Sequence, residues 1–143
     1  MINEIYMDIA YKEALKSLQH DEIPVGCIIV KNNEIISKGH NCKEKKKNCT
    51  MHAELIAINR ACKKTKNWRL DGCIIYSTLE PCMMCMGAII ESRIKKIYYG
   101  TKIKNEHMYD NLKIIEQGFI INCLNDNKCS EILSNFFKMK RKK

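Results

Sequence analysis

The stretch Gly72-Cys73-Ile74-Ile75-Tyr76-Ser77-Thr78-Leu79-Glu80-Pro81-Cys82-Met83-Met84-Cys85 decides the fold. Gly72 to Leu79 is mostly apolar or β-branched, the composition of a strand. Pro81 then opens a helix running to about Ser92, since a proline in the first turn lacks only a donor that would be unpaired anyway. Ile94 to Tyr99 reads as the next strand. Upstream, Val25 to Lys31 is a β-branched run, followed by Asn32-Asn33 and then Glu34-Ile35-Ile36. That pattern predicts a hairpin, because asparagine tolerates the positive φ of tight turns. Residues 52–65 have helical composition, with Thr50 as a candidate N-cap. Residues 2–19 place Ile5, Ile9, Ala14 and Leu18 near one helical face. Downstream, 101–117 reads as loop or short helix, Phe119 to Leu124 as a last strand and 126–140 as a last helix. Strands alternating with helices after a hairpin predict an α/β layered domain with a mixed sheet.

Composition agrees with one globular domain. The 143 residues are 45% hydrophobic and 29% charged, which excludes a disordered, collagenous or fibrous chain. No apolar run approaches the roughly 20 residues of a membrane span. The Met1-Ile2-Asn3-Glu4 start is followed by no apolar core or cleavage site of a secretory signal. Nine cysteines is an odd number, scattered through apolar runs (Cys27, Cys62, Cys73, Cys123). They read as small buried hydrophobes in a reducing compartment, and the expected location is cytoplasmic.

Of 25 basic side chains against 16 acidic ones, five fall in Lys138, Lys140, Arg141, Lys142 and Lys143. The expected organisation is one domain over 1–137 and a basic tail over 138–143. A second knot is Lys43, Lys45, Lys46 and Lys47. Both fit either a solvated surface or a phosphate-binding one.

Two motifs carry chemistry, His52-Ala53-Glu54 and Pro81-Cys82-Met83-Met84-Cys85, each at the predicted start of a helix. Cysteines three apart share a helical face, and the positive end of the helix favours their thiolates. His52 adds a third ligand. Two thiolates and one imidazole suit zinc and leave one tetrahedral position open, where a bound water is activated. Glu54, two residues beyond His52, is placed to move that water's proton without ligating. The alternative is a closed structural site in which Cys49, three residues before His52, fills the fourth position. Met83, Met84 and Met86 read as core and pocket-wall filler, and Trp68 and Arg69 as packing at a helix-to-strand corner. His20, His40 and His107 lack metal-like partners and read as surface or loop residues.

H-x-E…P-C-x-x-C is the signature of zinc nucleobase deaminases. Ile23-Pro24-Val25-Gly26, Gly39-His40-Asn41, Asn67-Trp68-Arg69-Leu70, Thr78 through Cys85, Gly87-Ala88-Ile89-Ile90, Ser92-Arg93-Ile94, Tyr99-Gly100 and Phe136-Phe137-Lys138-Met139-Lys140 extend the likeness. Together they resemble the bacterial tRNA-specific adenosine deaminase family of the cytidine/deoxycytidylate deaminase superfamily, over nearly the whole chain except about 101–120. The resemblance implies a three-layer α/β/α domain with a mixed sheet of about five strands. It implies one Zn²⁺ per subunit held by His52, Cys82 and Cys85, with Glu54 as catalytic proton shuttle. It further implies hydrolytic conversion of the wobble adenosine of a tRNA anticodon to inosine by zinc-activated hydroxide, in a homodimer. Asn41, Pro24, Phe137, Lys138 and Lys140 match positions at the family's substrate surface. Ile103 stands where the family usually carries an acid, and no glycine follows before Gly118, so this segment departs from the pattern. Met86 stands where a small residue is common. A deaminase of free guanine or cytosine shares the metal motifs, and a non-catalytic zinc-stabilised RNA-binding subunit is the third reading. The basic tail argues against the first of these and Glu54 against the second.

Overall fold

A computed structural model of the protein describes residues 2–103 and 108–141. Five strands, β1 (Gly26–Lys31), β2 (Glu34–His40), β3 (Cys73–Leu79), β4 (Lys96–Thr101) and β5 (Ile120–Cys123), form one sheet in the order β2-β1-β3-β4-β5. The β1–β2 and β1–β3 pairs are antiparallel, whereas β3–β4 and β4–β5 are parallel. The sheet is mixed, as the alternation of elements predicts. The hairpin closes through Asn32 and Asn33 at φ 50° and 63°, both left-handed, as the Asn-Asn pair requires.

Helices cover both faces. Side chains alternate across β1, so Cys27 and Ile29 join Ala53, Ala57, Ile75, Met86, Ile89 and Ile97 on one side. Ile28 and Val30 join Tyr6, Met7, Ala10, Tyr76 and Cys129 on the other. The first layer holds α3 (Ala53–Thr65) and α4 (Met83–Glu91); the second holds α1 (Ile2–Leu18) and α5 (Asn127–Arg141). A one-turn helix, α2 (Lys43–Lys46), interrupts the loop between β2 and α3.

Several expectations change. The buried face of α1 is Tyr6, Met7, Ala10, Glu13, Ala14 and Ser17, while Ile5 is 58% and Leu18 38% exposed. Alanine stands at positions 10 and 14 of this face because Gly26 of β1 lies against the α1 backbone there, leaving no room for longer side chains at the contact. The N-cap of α3 is His52, not Thr50, whose hydroxyl bonds Asn48 Oδ1 at 2.7 Å instead. Pro81 precedes α4 rather than lying within it, and Cys82 is the cap. Met86 is fully buried in the core and Met83 and Met84 are largely exposed, so the three methionines do not act as one filler. Trp68 is 58% exposed, flanked by Arg69 and Arg93 at 5.4 and 5.5 Å, rather than packed into a corner. His40 lies over the buried Glu13, Nδ1 to Oε1 3.6 Å, at the end of β2. Among the described residues of the 101–117 segment, Asp110–Leu112 forms a 3-10 turn. His107 and the last two tail lysines lie outside the described residues.

Candidate active site

Helices α3 and α4 begin side by side at one end of the sheet, the end where β3 leaves through Glu80 and Pro81. Their cap positions are filled by His52 and Cys82, in extended backbone and without a side-chain cap hydrogen bond. Cap positions favour serine, threonine, aspartate or asparagine because those side chains satisfy the free N–H groups of the first turn. Histidine and cysteine here leave that task undone, and their donor atoms turn toward each other. His52 Nδ1 lies 3.7 Å from Cys82 Sγ and 3.5 Å from Cys85 Sγ. Zinc bonded to nitrogen and sulfur at tetrahedral angles sets such atoms about 3.6 Å apart. The donor set and its spacing therefore fit the ion, which the protein takes as its cofactor. Among the described residues, His52, Cys82 and Cys85 form the group able to hold a metal. Cys49 is exposed and outside it, which removes the closed four-ligand alternative.

The electrostatics agree. The Cys82 thiol falls to about 5, first because the Cys85 thiol donates to it and then because the backbone N–H of Cys85, the His52 ring and the N–H of Met84 all face it. Cys85 moves the opposite way, since it holds the proton shared with Cys82 and is buried. Cys82 is thus the thiol readier to ionise, and an ion held by this group would favour the thiolate of Cys85 as well. Glu54, only 4% exposed, is lifted to about 7 chiefly by burial. Its carboxyl also hydrogen-bonds the Cys85 thiol, so it stands beside the ligand set without belonging to it. A carboxyl that titrates near neutrality both accepts and returns a proton.

A cavity of about 150 Å³ opens over this cluster, lined by His52, Ala53, Glu54 and Cys82 on the metal side. Its other wall is Ile23, Val25, Asn41 and Lys43, with Leu79, Glu80 and Ile103 closing the rim. Asn41 lines the cavity, 7% exposed, its Nδ2 donating to Ile23 O at 3.2 Å. Pro24 is buried between two lining residues and does not itself line the cavity. Ile103 is held at the rim by its N–H, which donates to Glu80 Oε1 at 3.0 Å. A second groove, about 440 Å³, shares Ile23, Asn41 and Lys43 and continues to Phe136, Phe137 and Lys140 of α5. Phe137 is exposed and Phe136 half-buried. Lys140 pairs with Asp21 across this groove, while Lys138 is exposed on α5 and away from the groove lining. The sequence reading named Lys43 only as part of a basic knot and did not assign Ile23, Val25, Leu79 or Glu80 to the site; the fold turns them toward the cavity.

The sequence pattern of the cytidine and deoxycytidylate deaminase zinc-binding region matches residues 1–101. The tRNA-specific adenosine deaminase of Bacillus subtilis is 36% identical over 99% of this chain and 92% of its own length. That of Buchnera aphidicola is 42% identical over 95% of this chain and 94% of its own. A structure solved in work on A-to-I editing by tRNA:A34 deaminases at the wobble position superposes with a TM-score of 0.82. It is 31% identical over 91% of this chain and 99% of that one. Guanine deaminase of Bacillus subtilis superposes at 0.66 with 34% identity, over 82% of this chain and 70% of its own. The donor triad, the buried carboxyl and these full-length likenesses converge: the chain belongs to the zinc-binding cytidine and deoxycytidylate deaminase family, among its tRNA-specific adenosine deaminases, and is a hydrolytic enzyme.

Proposed function

We propose that the protein deaminates the wobble adenosine of a tRNA anticodon to inosine, replacing the C6 amine by the oxygen of water and releasing ammonia. The observation that carries this reading is the groove running from the metal-side cavity to α5. A free base needs only the cavity, whereas a nucleotide within a chain needs a path for its neighbours. Exposed Phe137 offers a stacking face beside that path, Lys43 and Lys140 along it supply positive charge for phosphates, and Lys138 adds charge on α5 outside the groove. Zinc, when bound by His52, Cys82 and Cys85, supplies a water activated at neutral pH. Glu54 takes one proton from the attacking water and passes it to the purine ring nitrogen, then carries the second proton of that water to the C6 amine, which leaves as ammonia. Asn41 retains one amide hydrogen and one oxygen lone pair for the substrate. Reaching the base requires unstacking it, which costs a few kcal/mol and is cheapest in a loop. That favours an anticodon over a duplex.

A homodimer and a cytoplasmic location complete the proposal. The exposed Met83 and Met84 on α4 offer an apolar face to a second copy, and all nine cysteines are free. Among the described residues no helix is long and apolar enough to cross a membrane. The test is incubation of the zinc-loaded protein with an anticodon stem-loop carrying a wobble adenosine, scored for inosine beside free guanine and cytosine. Inosine in the stem-loop, with both free bases untouched, is the expected result. Turnover of guanine with an unchanged stem-loop overturns it in favour of a free-base enzyme.

A further inference from the structure

One buried carboxylate has no part in the metal cluster. Glu22 is 2% exposed, in the turn between α1 and β1. Its partners among the described residues are backbone donors on α2. Oε1 accepts from the N–H of Glu44 at 2.9 Å, and Oε2 accepts from the N–H of Lys45 at 2.7 Å. The N-cap of α2, Cys42, makes no side-chain cap bond, so these first-turn donors are satisfied by a side chain 22 and 23 residues earlier in the chain. A carboxylate suits the place for three reasons. It has two acceptor oxygens for two consecutive donors, its charge favours a helix start, and Lys43, Lys45, Lys46 and Lys47 crowd positive charge into the same loop.

The clamp joins the two chain segments that form the substrate-side wall of the cavity. Ile23 follows Glu22 directly and Val25 lies two residues further on; Lys43 directly precedes the Glu44 amide that Glu22 holds, with Asn41 two residues before that. Between these segments Asn41 N–H donates to Val25 O at 3.1 Å and Asn41 Nδ2 to Ile23 O at 3.2 Å. The Asn41 carbonyl accepts from Ser17 Oγ at 2.9 Å, and its Oδ1 accepts from Lys43 N–H at 3.3 Å. Asn41 is thus fixed on its N-terminal side by α1 and β1. The chain beyond it, which carries Lys43, is fixed by Glu22.

We propose that Glu22 is a positioning residue for substrate: its buried carboxylate clamps the Asn41–Lys45 segment against Ile23–Val25 and sets the wall that the target nucleotide meets. The proposal rests on the functional reading above for the identity of that nucleotide, but the clamp itself is testable without it. Glu22→Gln replaces one acceptor oxygen by an NH₂ group aimed at a backbone N–H, so one bond is lost and two donors oppose each other. Glu22→Asp keeps both oxygens and shortens their reach by one methylene.

The experiment uses the zinc-loaded full chain and both variants. Amide hydrogen exchange is followed at Glu44 and Lys45, with α3 and α4 as internal reference, and steady-state kinetics are run on the anticodon stem-loop. In Glu22→Gln, exchange at Glu44 and Lys45 is expected to quicken about tenfold, the loss of one charge-assisted bond. Zinc content and exchange in α3 and α4 stay unchanged. KM is expected to rise about tenfold with kcat within about twofold, the mark of lost substrate binding rather than lost chemistry. Glu22→Asp moves both readouts the same way by less, and it carries the test if the glutamine variant is poorly folded. Unchanged exchange at Glu44 and Lys45 overturns the clamp, and quickened exchange with unchanged KM overturns its role in positioning. If the unsubstituted chain leaves the stem-loop unconverted, the functional reading has failed, and the exchange experiment still decides the clamp.

Discussion

Replacing Gly26 by alanine sets a methyl group against the backbone of α1. A Cβ at that position would stand 1.9 Å from the Ala10 carbonyl oxygen, 2.5 Å from Ala14 N and 2.9 Å from Glu13 Cβ. Non-bonded heavy atoms sit comfortably at about 3.5 Å, so relief requires α1 to withdraw by about 1.5 Å. Neither the carbonyl nor the amide can rotate aside, because both belong to the helix ladder. Met7, Ala10, Ala14 and Ser17 are fully buried on this face, and a gap of even about 1 Å forfeits up to half of their contact energy. Overpacking typically costs 1–3 kcal/mol, and a clash with backbone belongs at the upper end, about 3 kcal/mol. For a chain of this size that lowers Tm by about 10 °C. Gly87 of α4 supplies the control, since a Cβ there meets nothing within 4 Å. Gly87→Ala removes a flexible residue from a helix interior and is expected to gain about 0.5–1 kcal/mol, or about 2–3 °C. Thermal unfolding of the two zinc-loaded variants reads both signs in one experiment. A Gly26→Ala protein melting within about 2 °C of the parent would refute the close packing of α1 on β1.

Other substitutions separate the roles at the site. Glu54→Gln is expected to lower kcat by at least about 10²-fold while one zinc per chain is retained, because the carboxyl moves protons and does not ligate; loss of the metal in this variant contradicts that division. Cys49→Ser should leave zinc stoichiometry and turnover as they are, and a metal-free product would restore a fourth sulfur ligand. Ending the chain at Phe137 removes five cations, together with the Lys140–Asp21 pair that ties α5 to the α1–β1 turn. Weaker RNA binding with a shallower salt dependence is expected, measured as Kd against salt concentration with zinc content unchanged. An identical salt slope would show the tail to be inert.

The metal site was legible because its residues are chemically distinctive and locally spaced. His52 and Glu54 are two apart, Cys82 and Cys85 share a helical face, and each pair announces itself without knowledge of the fold. Asn32-Asn33 was legible for the same reason, since a left-handed turn leaves a local residue signature. The packing of α1 was not. Ile5, Ile9 and Leu18 suggest a face, but the sheet approaches so closely at Gly26 that Ala10 and Ala14 take the contact, and the buried face runs through Tyr6, Met7, Glu13 and Ser17 instead. That outcome depends on a residue outside the helix. Glu22 carried no signal either: a single acid in a turn becomes a clamp only when α2 is folded against it. The same holds for the cavity wall, where the resemblance pointed to Pro24 while its neighbours Ile23 and Val25 do the lining.

The two cap positions explain why the site is both buildable and demanding. His52 and Cys82 occupy places where an oxygen-bearing side chain would stabilise each helix by about 1 kcal/mol, and neither supplies that bond. The sequence therefore leaves the starts of α3 and α4 undercapped at the point where they meet. A structural zinc ion is worth on the order of 10 kcal/mol to a small folded unit, far more than two missing caps. Even a fraction of that, gained through one ligand from α3 and two from α4, offsets the deficit and fastens the two helix starts together. The positive ends of both helices face the same point, which favours the Cys82 thiolate. Glu54, one residue inside α3, is carried into place by the geometry that turns His52 toward Cys82 and Cys85, so candidate ligand and proposed proton carrier cannot drift apart. Ligation, helix capping and proton transfer are thus one arrangement of backbone, and a substitution that restored an ordinary cap at His52 would stabilise the helix while abolishing the metal site.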